Sequence, residues 1–250
     1  DGRGHALSKS AIGYAGLVQL MRETELPLQV SRRMEGRNGV VSLEVFTPEF
    51  TVVFPPSQTP APKDGKDKKP TPKKSAENTK GEQSKEPVGI SLGGDKLIPS
   101  LYAGTVLVIL PKWATQRDLR GPDRVRKVGP IGLESFKDTL RELPGTPVLA
   151  RDKSSAEVTL RGVAAPFSGR TFRVGRMEAL QTVSGQGVFP LIVDGRGRAV
   201  LAQLERQDGE QGTSEAYLLS DPDLFNNMGL KTLERARFAD AAIRGVRRGE

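Results

Sequence analysis

The sequence predicts an α/β fold: a mostly parallel sheet with flanking helices and a small inserted β-rich subdomain. Three observations lead there. The chain opens on a helical pattern followed by two strand-like segments, and it closes on a short apolar strand, a polar turn and an amphipathic helix, the usual exit from a parallel sheet. Between them, short alternating stretches after residue 145 interrupt the α/β texture.

In chain order, "SKSAIGYAGLVQLMRETELP" places Ile12, Ala15 and Leu20, with the pair Leu17 and Met21, at helical spacing. Ser8 or Ser10 is its expected N-cap, and Pro27 closes it. A strand "LPLQVSR" follows. In "GVVSLEVFTPEFTVVF" β-branched and aromatic residues are dense, and Pro48 forces a break between two strands. "VGISLGGDKLIPSLYAGTVLVILPKW" reads as a weak helix, a glycine break and a buried strand over 105–110. "LESFKDTLREL" spaces Leu133, Phe136, Leu140 and Leu143 for a helix that Pro144 and Gly145 end. From 146 to 204 the pattern alternates, and "DGRG" at 194–197 carries hairpin-turn chemistry, because Asp and Gly tolerate positive φ. A strand at 216–219 leads to Asp221, which can cap a turn with Pro222 at its first position. Gly229 can end that turn. Thr232 can cap a last helix whose apolar face is Leu233, Ala236, Ala239, Ile243 and Val246.

The expected organisation is therefore a first half of the α/β domain at 1–54, a Lys- and Pro-rich insert at 55–87, and the domain continued at 88–145. A β-rich subdomain follows at 146–212, and the last strand and C-terminal helices occupy 213–250. The insert has seven prolines and no Val, Ile, Leu, Met, Phe, Trp or Tyr, so it reads as a solvated, partly extended loop. Removing it leaves 217 residues with an ordinary globular composition.

Composition narrows the function. Of the net charge of +8, the insert supplies +3, and the remainder is spread along the chain. With three Tyr and one Trp, the sequence lacks the aromatic-interleaved basic surface that a nucleic-acid binder needs, which argues against that partner. The absence of cysteine removes disulfides, thiolate metal sites and a Cys nucleophile, and the single histidine, His5, removes a His-based metal cluster. No cofactor is expected. The longest strongly apolar run, 106–110, is too short to span a bilayer, which takes about 20 residues. Because the chain begins "DGRGHALSKS", without methionine, the expectation is a soluble piece whose membrane helices lie outside it.

In an open α/β sheet, ligands gather where strands exit into loops. Lys112 and Trp113 directly follow one strand, and Asp221, Asp223, Asn226 and Asn227 follow another. Ser8 and Ser10 lie ahead of the first helix, whose amide end can receive an anion. Together these residues form an expected ligand or partner rim. Catalytic templates fit poorly: the Ser-Gly pairs in "FSGR" and "VSGQG" lie in the β-rich region, not on a nucleophile elbow. "GRGHA" and "DGRGRA" lack the third glycine of a dinucleotide loop, and Asp221 and Asp223 flank a proline as turn residues do.

"HALSKSAIGYAGLVQLMRETELPLQVSR", "TVLVILPKW" and above all "YLLSDPDLFNNMGLKTLERARFADAAI" resemble the bacterial domain-of-unknown-function family 4350. The resemblance covers both ends and most of the middle, the Lys-rich insert excepted. It implies a flavodoxin-like sheet related to class I glutamine amidotransferases, held between transmembrane helices on the periplasmic side of a bacterial inner membrane. It implies no established activity. The exit comparable to the amidotransferase nucleophile is "LPKWAT", with neither Cys nor a Gly-flanked Ser, which argues against amidotransfer. The expectation is a non-catalytic binding domain recognising a membrane-protein partner or a small polar ligand. Its rivals are a hydrolase using Asp221 or Asp223 with Lys112, and an anionic-surface binder acting through the insert and Arg235, Arg237, Arg244, Arg247 and Arg248.

Overall fold

The computed structural model describes residues 9–26, 44–47, 50–52, 90–92, 105–117, 125–205, 207–209 and 212–248. Ser8, His5, residues 27–32 of the "LPLQVSR" segment and the insert lie outside them. Helix α1 spans Ala15–Glu23, α2 spans Lys137–Arg141 behind a 3-10 turn at Leu133–Phe136, and α3 spans Leu233–Arg248. The strands are β1 (Glu44–Phe46), β2 (Phe50–Val52), β3 (Ile90–Leu92), β4 (Thr105–Ile109), β5 (Trp113–Arg117), β6 (Val125–Pro130) and β7 (Thr146–Arg151). After them come β8 (Ser155–Gly162), β9 (Thr171–Glu178), β10 (Gln181–Gln186), β11 (Val188–Val193), β12 (Ala199–Leu204), β13 (Gln207–Gly209) and β14 (Gly212–Leu219).

The molecule is mostly β, and this overturns the expected flavodoxin-like, mostly parallel sheet with flanking helices. One ten-stranded mixed sheet follows the path β1-β4-β14-β12-β11-β8-β9, with β10 pairing β12 and β7, and β13 pairing β14. Among the described strands only β1, β4 and β14 run parallel, with Glu44 opposite Val106 and Leu219 opposite Ile109; the other pairs are antiparallel. The physical reason is in the connections. A parallel pair needs a crossover, usually a helix. Here β4 leads instead into the β5–β6 hairpin, and the chain returns to β14 only after a run of antiparallel strands. "VGISL", expected as a weak helix, contributes β3, paired antiparallel with β2.

The central strands are buried on both faces. Leu107, Ile109, Tyr217 and Leu219 face α1 and α3, which bring Leu17, Met21, Phe238, Ala242 and Ile243. Val106, Val108, Ala216 and Leu218 face the opposite way, toward Phe136, Leu140, Leu149 and Val183. The curl that carries β7 and β10 over this second face does the work expected of helices. Phe238 meets Phe172 edge-on at 5.3 Å and Phe225 at 6.1 Å, fixing α3 against β9 and the turn after β14. Arg235 donates to the backbone carbonyls of Val174 and Arg176 on β9, so the helix also covers groups that an edge strand leaves open.

The "DGRG" turn joins β11 to β12 as its chemistry predicts: Asp194 Oδ1 accepts from the backbone of Arg196 and Arg198, and Gly197 takes φ 78°. Arg198 also bridges Asp194 and Asp152.

Two leucines separate core packing from surface position. Leu218→Ala, at a fully buried site on β14, should lower urea-measured stability by about 2–5 kcal/mol. Leu233→Ala, at a site 60% exposed, should change it by less than about 0.5 kcal/mol.

Candidate functional site

The parallel register of β4 and β14 brings two exits side by side. With Leu219 opposite Ile109, and the Leu110 amide donating to the Leu219 carbonyl at 3.1 Å, the ladder runs to the last apolar residue of each strand. The next residues, Pro111-Lys112-Trp113 and Ser220-Asp221-Pro222-Asp223, therefore leave the sheet as neighbours. Asp221 caps the following 3-10 turn, Pro222–Leu224, accepting from the Asp223 amide at 3.0 Å, with proline at a position whose missing N–H costs nothing.

Lys112 reaches across this junction. Its Nζ lies 2.7 Å from Asp221 Oδ2 and 2.9 Å from Asp223 Oδ2, and all three residues are buried. Every surrounding donor turns inward. The Trp113 indole N–H lies 2.8 Å from Asp223 Oδ1 and 3.0 Å from its Oδ2, while the Asn226 side-chain amide donates to Oδ1 at 2.8 Å. The Gln181 backbone amide donates to Asp221 Oδ2 at 2.9 Å. The Gln181 side chain ties the two exits together, donating to the carbonyls of Ser220 at 2.6 Å and Pro111 at 3.2 Å. Arg151 holds the oxygen of that amide through two nitrogens, at 2.6 and 3.1 Å. Over the outside, Lys127 sits 3.4 Å from the centroid of the Trp113 ring and pairs with Glu178.

Asn226 and Asn227 do separate tasks. Asn226 Oδ1 accepts from the Gly229 amide at 2.8 Å. Gly229 is required there: a Cβ would stand 1.8 Å from the Asp223 carbonyl oxygen. Asn227 faces the segment before α1, donating to the Ser10 carbonyl and accepting from the Gly16 amide, each at 2.6 Å. Tyr14 is the N-cap of α1 and makes no side-chain cap bond, so the cap expected from Ser8 or Ser10 is supplied by Asn227 from the far end of the chain. Of the eight residues expected at the rim, Lys112, Trp113, Asp221, Asp223 and Asn226 form one buried cluster. Ser10 and Asn227 form a neighbouring contact, and Ser8 lies outside the described residues.

Sequence reasoning missed Gln181, Arg151, Ser220 and Tyr14. Ser220 Oγ lies 2.7 Å from the Gln181 carbonyl oxygen and 3.1 Å from that of Val200, so its single O–H is held between them. It stands inside the "SDPD" stretch and was within reach of the same strand-exit argument. Gln181 opens β10, and nothing local marks it, because its role depends on where the curl places that strand.

Burial raises the pKa of Asp221 to about 6; Lys112 pulls the other way, and Asp223 adds to the rise. Burial, with a smaller push from Asp223 and Asp221, also drives the Tyr14 phenol upward, so it stays neutral. Among the described residues no group of three His, Cys, Asp or Glu side chains is placed to hold a metal ion. No protein-family model, curated protein or solved structure matches the chain.

The cluster makes two predictions. Lys112→Met leaves two buried carboxylates without their counter-charge and should cost about 3–5 kcal/mol by chemical denaturation. The double change Lys112→Met/Asp221→Asn should cost less than the sum of the single changes, because the charges are coupled. For pH, Asp221 is an acid whose folded pKa lies above its unfolded value of 3.8. Its contribution to stability is fully present below pH 3.8 and is lost as pH rises through about 6. Melting temperature followed across that window should show this fall in wild type, and Asp221→Asn should flatten it.

Proposed function

We propose that this chain is a non-catalytic interaction domain whose Lys-Asp-Asp cluster braces the fold and whose recognition chemistry lies on its outer surface. The observation that carries this reading is the burial of the cluster: Lys112, Asp221 and Asp223 are 1%, 0% and 3% exposed and are bonded to one another and to neighbouring protein groups. A catalytic acid, base or nucleophile must come within hydrogen-bonding reach of a substrate. Here that reach is taken up by protein partners. On the sequence resemblance to family 4350 alone, the proposal extends to a domain on the periplasmic side of a bacterial inner membrane, serving a membrane-protein partner or a small polar ligand. Membrane attachment in this proposal belongs to segments other than the described helices, none of which is long and apolar enough to cross a bilayer.

One observation favours the hydrolase alternative. A carboxyl raised to about 6, as Asp221 is, lies where a general acid or base works near neutral pH. A panel of ester, amide and glycan substrates separates the readings. The interaction-domain proposal expects no turnover above background in wild type. Turnover that disappears in Asp221→Asn, with the fold retained, would replace it with the hydrolase.

A further inference from the structure

The cluster at the strand exits holds an amine nucleophile against a carboxyl acceptor, and both belong to the chain itself. Lys112 Nζ lies 2.7 Å from Asp221 Oδ2. The Asp221 carboxyl carbon stands one C–O bond of about 1.2 Å behind that oxygen, so the amine is within about 4 Å of it, close to the roughly 3–3.5 Å of a reacting pair. Fixing both groups in one dry place turns a bimolecular encounter into an intramolecular one.

The two carboxyls differ in what surrounds them. Both oxygens of Asp221 receive backbone N–H groups: Gln181 donates to Oδ2 at 2.9 Å, and Asp223 donates to Oδ1 at 3.0 Å. Donors of this kind hold the oxyanion that forms when an amine adds to a carboxyl carbon. Burial also raises the Asp221 pKa to about 6, so the acid form, which can lose its hydroxyl as water, is accessible near neutral pH. The Asp223 carboxyl is held by side chains instead. Trp113 and Asn226 each donate to its Oδ1 at 2.8 Å, and its Oδ2 lies 2.9 Å from Lys112 Nζ. That oxygen is placed to take a proton from the amine.

We propose that Lys112 and Asp221 condense to an intramolecular isopeptide bond, with Asp223 as the proton carrier. The Asp223 carboxylate takes one proton from the Lys112 ammonium, and the freed amine adds to Cγ of protonated Asp221. The C–N bond forms, a second nitrogen proton leaves with the Asp221 hydroxyl as one water, and Asp223 ends protonated. Nothing is oxidised or reduced. A buried ammonium and a buried carboxylate give way to neutral groups, which relieves their desolvation. With Lys112, Asp221 and Asp223 only 1%, 0% and 3% exposed, water has little access for the reverse hydrolysis. The bond rests on the brace reading above and makes that brace permanent, joining the β4 and β14 exits covalently. Asp221 no longer titrates once condensed, so the fall in melting temperature with pH belongs to the uncondensed chain.

The test is mass spectrometry of the folded wild-type chain, held near pH 6 and then unfolded and digested with trypsin. The expected intact mass is lighter than the sequence by one water. Cleavage after Lys112 should be lost, and fragments 97–117 and 207–231 should appear as one linked species whose fragmentation places the bond between Lys112 and Asp221. Lys112→Arg and Asp221→Ala should each restore the full sequence mass, and Asp223→Asn should slow the loss of water by about a hundredfold, the order of one proton-transfer catalyst. A wild-type chain that keeps its full mass and is cut after Lys112 would overturn the proposal. So would a water loss that survives in Lys112→Arg, as a succinimide at Asp194 and Gly195 would. Either result leaves the non-covalent brace and the non-catalytic reading standing, whereas turnover in the substrate panel removes that reading and leaves the linked fragments unexplained by it.

Discussion

The structure turns on one ammonium group. Lys112 sits between Asp221 and Asp223 where two parallel strands end, and each neighbouring element contributes a donor or a cover to that junction. Trp113 begins the β5–β6 hairpin, Gln181 begins β10, and Asn226 precedes the turn that leads to α3. The curl of the antiparallel strands over one face, and the packing of α3 on the other, meet at this cluster. Burying one cation and two carboxylates is costly unless every lone pair and proton is satisfied, and an excess of negative charge remains even then. Backbone and side-chain donors offset part of it, and the elevated pKa of Asp221 is the remaining response.

Such a cluster contributes specificity of arrangement more readily than net stability. An apolar replacement would not dictate which strand exits lie together, whereas Lys112 is satisfied only if the β4 and β14 exits, the start of β10 and the 3-10 turn are all in register. The parallel pair needs that guarantee. Among the described strands β4 and β14 are the paired partners farthest apart in the chain, and closing so long a loop is entropically slow and easily mispaired. The same logic explains Asn227, which ties the start of α1 to the turn after β14 across nearly the whole sequence.

How much of this was legible in the sequence varies by element. The strand at 105–109, the Asp194 turn, the Asp221 cap and the last helix carry their own local chemistry, and they form where that chemistry puts them, whereas Pro48 lies outside the described residues. The sheet's direction does not. "AVLAQL" in β12 is buried on both sides, so it shows no period-two alternation and gives no hint that it pairs with β14. "WATQR" in β5 has no strand-like apolar pattern, and the strand exit after Leu110 leads into a hairpin. The meeting of Lys112 and Trp113 with Asp221 and Asp223 followed from the strand-end argument because that argument needs only a parallel neighbour, and this much of the α/β expectation the structure contains. Their complete burial was not legible, since it depends on β10 and β6 folding over the exits.

The central claim is that the strand-exit cluster is a brace that opens only when the whole fold opens. Native-state hydrogen exchange at the amides of Gln181 and Asp223 tests it directly, because both donate to Asp221. If the claim holds, these amides exchange with the same free energy and denaturant dependence as the core amide of Leu218, through global unfolding alone. Exchange at a markedly lower free energy, with Leu218 still protected, would show a cluster that opens on its own, and the brace would have to be given up for a gate.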